Sequence, residues 1–351
     1  MTKTLFILAA LILATAGGAR AETLIAAGSQ PQLAADETGA VWVAFGRGKE
    51  VLVARSDDGG RTFAPAVQVA ALPSLMLGRR RGPRIVAHGG RVTVTAMAGD
   101  LHAFRSTDGG RTWTGPFRVN DQARSAREGL NALSVAPDGR VLAAWLDLRG
   151  ERTQLYGSES TDGGATWTAN RLIYRAPAGE TICECCHPSL AFGPGGELIA
   201  LWRNALGGAR DMWSSVRSAG ATEFGAPAKL GAGTWMLRAC PMDGGAVAPQ
   251  ENGFITTWQR EGRVFLARSG ELEQDLGLGT QPVVASANGR ARVIWQRGPG
   301  LWTTMAGGTH SATSLADQGK FPALLALPGK DGFLAAYERG DAIVIRHLGS
   351  E

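Results

Sequence analysis

The chain has 351 residues, a formal net charge of +5 and 19% charged residues. Its Lys and Arg residues are spread along the sequence without a long basic run, so nucleic-acid binding is not expected. The many Gly (49) and Trp (10) residues, without extended helical periodicity, favour short strands closed by tight turns.

The first segment has the pattern of a secretory signal peptide. Lys3 precedes an apolar run over residues 5–16, and Ala19-Arg20-Ala21 provides a small-x-small cleavage site. The run is too short for a membrane anchor, so no membrane insertion is expected. We therefore predict a signal peptide over residues 1–21, cleaved near Ala21, and one mature domain over residues 22–351 that is periplasmic or secreted.

Seven repeated units of similar pattern follow. Each unit opens with Pro or Asn ahead of an apolar strand, and its second strand ends in an aromatic residue or Met. The openings are Pro31, Pro83, Asn131, Pro188, Pro241, Pro282 and Pro322. The second strands end at Phe45, Met97, Trp145, Trp202, Trp258, Trp295 and Tyr337. A third strand follows in every unit, and a fourth strand follows in the first six.

The last unit lacks its own fourth strand, but residues 22–28 at the other terminus have the pattern of one. A strand from one terminus that completes the last sheet closes a ring without leaving an open edge. The repeats therefore predict an all-β fold: a β-propeller of seven four-stranded blades closed by the N-terminal strand. Six blades are the alternative if one of the later repeats is not a blade.

A phrase of the form Ser-x-Asp-x-Gly-x-Thr-aromatic occurs three times and follows a predicted third strand each time. Its Asp can accept backbone hydrogen bonds, and its Gly residues permit positive φ, as a tight turn requires. We therefore assign a structural role to the Ser, Asp and Gly of each copy. These residues are Ser56, Asp58, Gly60, Ser106, Asp108, Gly110, Ser160, Asp162 and Gly164.

With these phrases and repeats, the chain resembles the sialidase-like superfamily of Asp-box (BNR-repeat) β-propellers. The resemblance implies that the Asp boxes lie at the periphery, away from a central pocket. In sialidases of this superfamily, three Arg residues clamp the substrate carboxylate, an Asp is the acid/base, and a Tyr assisted by a Glu is the nucleophile. For this chain the resemblance gives Tyr337, Glu338 and Asp147 as catalytic candidates, because the other two Tyr residues fall in outer strands.

Arg residues recur where second strands end and in loops that link blades, which propeller topology places on one face. A ring of Arg around a central mouth would attract an anionic small molecule, a glycan or a protein partner. In the alternative interpretation, each Arg caps a blade end by pairing with an acidic residue or stacking on an aromatic ring. The candidate ligand-binding residues are Arg47, Arg84, Arg149, Arg203, Arg260, Arg297 and Arg339.

All four Cys residues fall in two loops on the same face. Cys183, Cys185 and Cys186 precede His187 in the loop that enters blade four, and Cys240 lies in the loop that enters blade five. In an exported protein the first interpretation is two disulfides. A soft-metal site is the alternative, with thiolates, His187 and a nearby Met binding copper or zinc, and a reactive thiol pair is the third.

The sequence thus predicts a monomeric exported propeller that binds its ligand at a face lined by Arg and Cys. This leading interpretation requires no cofactor and leaves open whether the protein is an enzyme. An exo-sialidase type of glycoside hydrolase is one alternative. A periplasmic protein that handles copper or thiols through the Cys cluster is the other.

Overall fold

The computed structural model describes residues 22–307, 311–329 and 332–349. The predicted signal peptide therefore lies outside the described residues. The described residues form 29 strands and no α-helix, and accordingly none of their elements is a helix long and apolar enough to cross a membrane.

The strands form seven antiparallel sheets, the blades, arranged in a ring. The innermost strands contact one another around the ring and are β2 (Ser29–Ala35), β6 (Arg84–His88), β10 (Asn131–Val135), β15 (Ser189–Phe192), β19 (Ala246–Gln250), β23 (Thr280–Ala287) and β27 (Lys320–Ala326). The second strands are β3 (Val41–Arg47), β7 (Arg91–Ala98), β11 (Val141–Asp147), β16 (Leu198–Ala205), β20 (Gly253–Arg260), β24 (Arg290–Arg297) and β28 (Phe333–Arg339).

The outer half of each blade has the same order. The third strands are β4 (Glu50–Ser56), β8 (Asp100–Ser106), β12 (Gln154–Ser160), β17 (Met212–Arg217), β21 (Arg263–Arg268), β25 (Gly300–Met305) and β29 (Ala342–Leu348). The outermost strands are β5 (Val67–Ala71), β9 (Thr114–Arg118), β13 (Arg171–Tyr174), β18 (Ala228–Lys229), β22 (Gln274–Leu278), β26 (Thr313–Ala316) and β1 (Glu22–Ala27).

The N-terminal strand β1 is the outermost strand of blade seven. It pairs antiparallel with β29, in a register that places Glu22 opposite Arg346 and Ala27 opposite Ala342. The prediction of seven four-stranded blades closed by an N-terminal strand is therefore confirmed.

Blades four and five differ from the predicted pattern. Blade four gains a short extra strand, β14 (Thr181–Ile182), which pairs with the end of β16. The predicted opening of blade five at Pro241 was wrong, because β19 begins only at Ala246. The intervening residues form an irregular loop that holds Cys240 away from the sheet.

The hydrophobic core lies between blades rather than at one centre. Trp42 of blade one packs with Val92 and Val94 of blade two, whereas Val43 packs with Leu334 and other residues of blade seven. Alternate side chains of one strand thus face two neighbouring sheets, so the second strands are apolar on both faces. Five second strands each carry a Trp that is at most 2% exposed: Trp42, Trp145, Trp202, Trp258 and Trp295.

Candidate functional site

The three Asp-box turns are closed by their own side chains. In the first turn, Gly60 N donates to Ser56 Oγ at 2.8 Å, and the hydroxyl donates to Asp58 Oδ1 at 2.7 Å. The same carboxylate accepts from Thr62 N and Thr62 Oγ1 at 2.9 and 2.6 Å. The other two turns repeat these bonds. Hydrogen bonds from local donors occupy these carboxylates and hold the turns closed, as a structural role requires. We call the side of the ring on which the turns lie the Asp-box face.

A central channel widens towards the Asp-box face. Its mouth is a cavity of about 620 Å³ lined by the turns between first and second strands, including Glu37, His88, Phe192 and Glu251. Near the other end, the cavity that includes Arg80, Arg84 and His187 has a volume of about 160 Å³. The channel is therefore wide at the Asp-box face and narrow at the opposite face, which we call the Cys face.

Arg80 closes the narrow end of the channel. It comes from the loop between blades one and two and is only 4% exposed. Its guanidinium donates to Pro322 O at 2.7 Å, to Gln281 Oε1 at 2.8 Å and to Gln281 O at 3.0 Å. Its backbone N donates to Gln30 Oε1 at 2.7 Å. One residue thus joins blades six and seven through its side chain and blade one through its backbone N.

Three residues around Arg80 have a left-handed backbone conformation. Gln30, Gln281 and Phe321 each precede a Pro at the start of an innermost strand and have φ values of 57°, 54° and 48°. Register shifts occur at the same places in β2, β23 and β27. Left-handed backbone at non-glycine residues is strained and is often found where a structure presents particular groups. Here the bulges direct amide and carbonyl groups towards Arg80.

Each of the seven candidate Arg residues contacts a group of the protein itself. Four form ion pairs: Arg47 with Glu50 (2.9 Å), Arg149 with Asp147 (2.8 Å), Arg260 with Glu273 (2.6 Å), and Arg339 with Glu22. Two donate to backbone carbonyls, Arg84 to Asn131 O (3.1 Å) and Arg203 to Gln259 O (2.8 Å). The guanidinium of Arg297 stacks 4.4 Å from the ring of Trp302. The four ion pairs and the ring stacking are contacts of the kinds that the capping interpretation names, whereas the two bonds to backbone carbonyls are not among them.

The three catalytic candidates are separate and engaged with the protein. Tyr337 is fully buried in blade seven, and its hydroxyl donates to Glu22 Oε1 at 2.6 Å. Burial and the Glu22 carboxylate raise the pKa of Tyr337. Glu338 Oε1 accepts from Gln30 N at 2.7 Å, and burial raises its pKa. Asp147 lies in blade three, where hydrogen bonds from Arg149 and Trp145 outweigh burial and lower its pKa.

On the Cys face, three Cys residues bring their sulfur atoms close enough together to hold one metal ion. The sulfurs of Cys183 and Cys186 are 3.5 Å apart, those of Cys183 and Cys185 are 3.6 Å apart, and those of Cys185 and Cys186 are 4.0 Å apart. The three residues are 1 to 7% exposed. We call this arrangement the sulfur triangle.

Short-range backbone bonds hold the sulfur triangle in place. Strand β14 anchors the loop to the end of β16, and Cys183 N donates to Arg203 O at 2.8 Å. Cys186 N donates to Cys183 O at 3.3 Å, which closes a turn with the spacing Cys-x-x-Cys. Turns of this spacing bring two thiols to one side of the chain and occur in metal sites. The sequence contained this spacing, but the adjacent Cys185 obscured it.

The charge around the sulfur triangle is set by its own hydrogen bonds and by Arg203. Hydrogen bonds from the Cys185 and Cys186 thiols lower the pKa of Cys183, and the positive charge of Arg203 adds to this effect. Burial raises the pKa of Cys186. The cluster therefore favours one thiolate that is shared by two neighbouring thiols.

Two further sulfurs lie beside the triangle. Met242, whose φ is 53°, packs against it. Cys240, two residues before Met242, is exposed, and its sulfur is not part of the triangle. His187 was predicted to join the cluster, yet it lines the channel, and its Nδ1 accepts from Gly244 N at 3.3 Å. Burial and three nearby Arg residues lower the pKa of His187 and keep it neutral.

The sequence matches no known family pattern, and no characterised protein is significantly similar to it. Solved structures do share its fold. Polysaccharide lyase Uly1 has a TM-score of 0.58 at 10% identity, over 93% of this chain and 91% of the lyase. An α-L-arabinanase of Penicillium chrysogenum, complexed with arabinobiose, has a TM-score of 0.53 at 16% identity, over 80% and 94%. The Hadza microbial sialidase Hz136 has a TM-score of 0.50 at 14% identity, over 92% and 66%. The chain thus shares its fold with proteins that act on glycans.

Proposed function

We propose that this chain is an exported β-propeller that binds a soft metal ion through Cys183, Cys185 and Cys186. The sulfur triangle carries the proposal. Three sulfurs bonded to one ion at about 2.3 Å lie about 3.8 Å apart in a tetrahedron and about 4.0 Å apart in a plane. The observed separations of 3.5 to 4.0 Å are close to both. Thiolates are preferred ligands of soft ions such as Cu(I), and Zn(II) also binds them.

A metal ion accounts for the triangle better than a disulfide does. A disulfide bond is about 2.05 Å long and joins only two sulfurs. A pairing within the triangle would leave its third thiol buried and unpaired, unless that thiol bonded to Cys240. A metal ion engages all three sulfurs equally. It would also protect neighbouring thiols from pairing in the oxidising compartment that the signal peptide implies.

Metal analysis of the exported protein tests this proposal. After reduction, protein loaded with Cu(I) or Zn(II) should hold one equivalent, and Cys186→Ser should weaken binding by about 100-fold because a ligand is lost. Met236→Leu is the matched control, since Met236 is an exposed sulfur residue of the same face. Two native disulfides without free thiols, or equal metal binding by Cys186→Ser, would contradict the proposal.

A second candidate function is glycan binding at the mouth of the channel on the Asp-box face. A volume of about 620 Å³ is within the usual range of small-molecule pockets. Glu37, His88 and Glu251 offer hydrogen-bonding groups for sugar hydroxyls. The glycan-active proteins that share this fold add support to this candidate. A sialidase reaction has less support, since Tyr337 is buried against Glu22.

Calorimetric titration with arabinobiose and with a sialylated trisaccharide tests the second candidate. Glu251→Ala should weaken binding about tenfold by removing a hydrogen-bonding group, as expected for one polar contact. Glu261→Ala, on a turn of the Cys face, is the control and should bind like the wild type. Absence of binding would rule out these sugars, whereas turnover of a fluorogenic sialoside that is lost in Tyr337→Phe would support the sialidase alternative.

A further inference from the structure

We infer that the metal ion is monovalent copper and that it enters and leaves through Cys240. This inference rests on the proposed function of the sulfur triangle. It adds the identity of the ion and assigns separate roles to the buried and the exposed thiols.

The donor atoms favour copper over zinc. Within the described residues, the group that could hold a metal consists of three Cys sulfurs, with no His nitrogen or carboxylate. Met242, a thioether residue, packs against this group, and its sulfur also contacts the Arg79 guanidinium. Thiolate and thioether ligands select Cu(I), whereas structural zinc sites use four thiolate or imidazole ligands in a closed tetrahedron.

Among the described residues, no fourth ligand completes a zinc tetrahedron with the three sulfurs. His187 accepts a backbone hydrogen bond and faces the channel, away from the sulfurs. Cys240 is not a member of the group of sulfurs that lie close enough together to share one ion. Three thiolates with one nearby thioether therefore suit an ion that accepts three-coordination, which Cu(I) does.

The charge of the surroundings suits an anionic copper–thiolate complex. Three thiolates and one Cu(I) carry a net charge of −2. Arg203 is 1% exposed, is fixed by bonds to Asp243 O and Gln259 O, and lies next to the triangle, since its backbone O accepts from Cys183 N. A buried guanidinium beside buried thiolates lowers the cost of removing their charge from water.

Cys240 is the sulfur that a copper donor would meet first. It is exposed, whereas the members of the triangle are 1 to 7% exposed. It lies in the irregular loop between β18 and β19, two residues before Met242, which packs against the triangle. Cys185 is the most exposed member of the triangle. This order of exposure forms a path from the surface through Cys240 to Cys185 and then to Cys183 and Cys186.

The transfer is a ligand exchange without a change in oxidation state. A bond forms between Cu(I) and the sulfur of Cys240 while the bond between Cu(I) and the donor's sulfur breaks. The proton of the Cys240 thiol passes to the released donor thiolate. Exchange at Cys185 then repeats the step inside the protein, and the proton of the Cys185 thiol passes to the departing Cys240 thiolate. The remaining thiol proton of the triangle is released to solvent as Cu(I) binds the last two sulfurs.

Anaerobic exchange with a chromogenic Cu(I) chelator tests this inference on the full mature chain. The wild type should bind one Cu(I), and an equal concentration of Zn(II) should not displace it. Cys240→Ser should slow transfer to and from the chelator by at least about tenfold, while its affinity falls by less than about tenfold. Met242→Leu should weaken Cu(I) binding by about tenfold and leave Zn(II) binding unchanged. Met236→Leu, an exposed sulfur outside the path, is the control.

The outcomes distinguish a failure of the metal site itself from a failure of the assignments of copper and of Cys240. If neither metal binds to the wild type, the proposed function and this inference both fail. If Zn(II) displaces copper, the identity of the ion is wrong, although the metal site remains. If Cys240→Ser loses as much affinity as Cys186→Ser, or exchanges copper at the wild-type rate, Cys240 is not the exchange ligand.

Discussion

At the scale of residues, the Asp-box carboxylates stabilise their turns through local hydrogen bonds. Asp162 accepts from Ala165 N, Thr166 N, Thr166 Oγ1 and Ser160 Oγ, at distances of 2.7 to 3.0 Å. These bonds outweigh the effect of burial and lower its pKa to about 2. The turn is thus built around an ionised carboxylate.

Removal of this carboxylate should destabilise the protein. Asp162→Ala leaves four donors without their acceptor, so we expect a loss of about 1 to 2 kcal/mol in the free energy of unfolding. Asp57→Ala is the matched control, since Asp57 is exposed and pairs only with Arg55. Urea unfolding at pH 7 measures the difference. Equal midpoints for the two variants would contradict a structural role of the box.

The same carboxylate predicts a dependence on pH. Its pKa is lower in the folded chain than in the unfolded chain, so its contribution is present above about pH 4 and is lost as the pH falls towards 2. The stability difference between the wild type and Asp162→Ala should therefore shrink between pH 4 and pH 2. A difference that stayed constant over this range would show that ionisation of Asp162 is irrelevant.

Sequence reasoning at this scale gave residue types and neighbourhoods rather than contacts. The recurring Arg residues were found, but their partners Glu50, Glu273 and Glu22 were not assigned. Each pair forms within one blade, and the pairing of its strands decides which residues meet. The three Cys residues were placed in one loop. Their mutual distances depend on the anchor between β14 and β16, which two residues form and periodicity does not reveal.

At the scale of elements, the six-residue strand β1 closes blade seven. It covers the edge of β29, and Glu22 accepts the hydroxyl of Tyr337 and pairs with Arg339. Without β1, the backbone groups of β29 would form an open edge, which favours pairing with other chains.

Removal of residues 22–27 should therefore destabilise and aggregate the protein. We expect a lower midpoint of thermal unfolding and a shift to larger species in size-exclusion chromatography. Leu24→Ser is the control, because Leu24 is 64% exposed and its replacement should change the stability by less than about 0.5 kcal/mol. A monomeric deletion variant with the wild-type midpoint would contradict the closure role.

The strands were predictable because each has alternating apolar residues and is bounded by turn signals. The deviation in blade five arises from the loop around Pro241. Alternating apolar residues and turn signals located every innermost and second strand, except in blade five. There, the pattern around Pro241 belongs to a loop whose residues bond to neighbouring blades instead of to a sheet, as Gln281 N does with Asp243 Oδ2 at 2.6 Å.

At the scale of the whole molecule, one buried guanidinium joins blades that are distant in sequence. Arg80 bonds to Pro322 O and Gln281 O, which lie 242 and 201 residues further along the chain. No repeat pattern could indicate this contact, because it occurs once and crosses the channel. The sequence placed Arg80 on the correct face and gave no reason to distinguish it from its neighbours.

Arg80→Leu should weaken the closed ring. The substitution leaves buried carbonyls without donors, and we expect a loss of more than about 2 kcal/mol in the free energy of unfolding. Arg47→Leu removes an Arg of the same face that has only a surface ion pair and should cost less than about 1 kcal/mol. Chemical denaturation of both variants measures the contrast, and similar losses would disprove the special position of Arg80.

Closure of blade seven also sets the order of events during biosynthesis. The first described strand finds its partner among the last residues of the chain, with Glu22 opposite Arg346. At ordinary rates of translation, the 323 residues between them take roughly 20 to 60 s to emerge. During that interval β1 has no partner, and the growing row of blades exposes an unpacked sheet face at each end. A chaperone that shields extended segments would therefore matter most for this protein before its final strand is made.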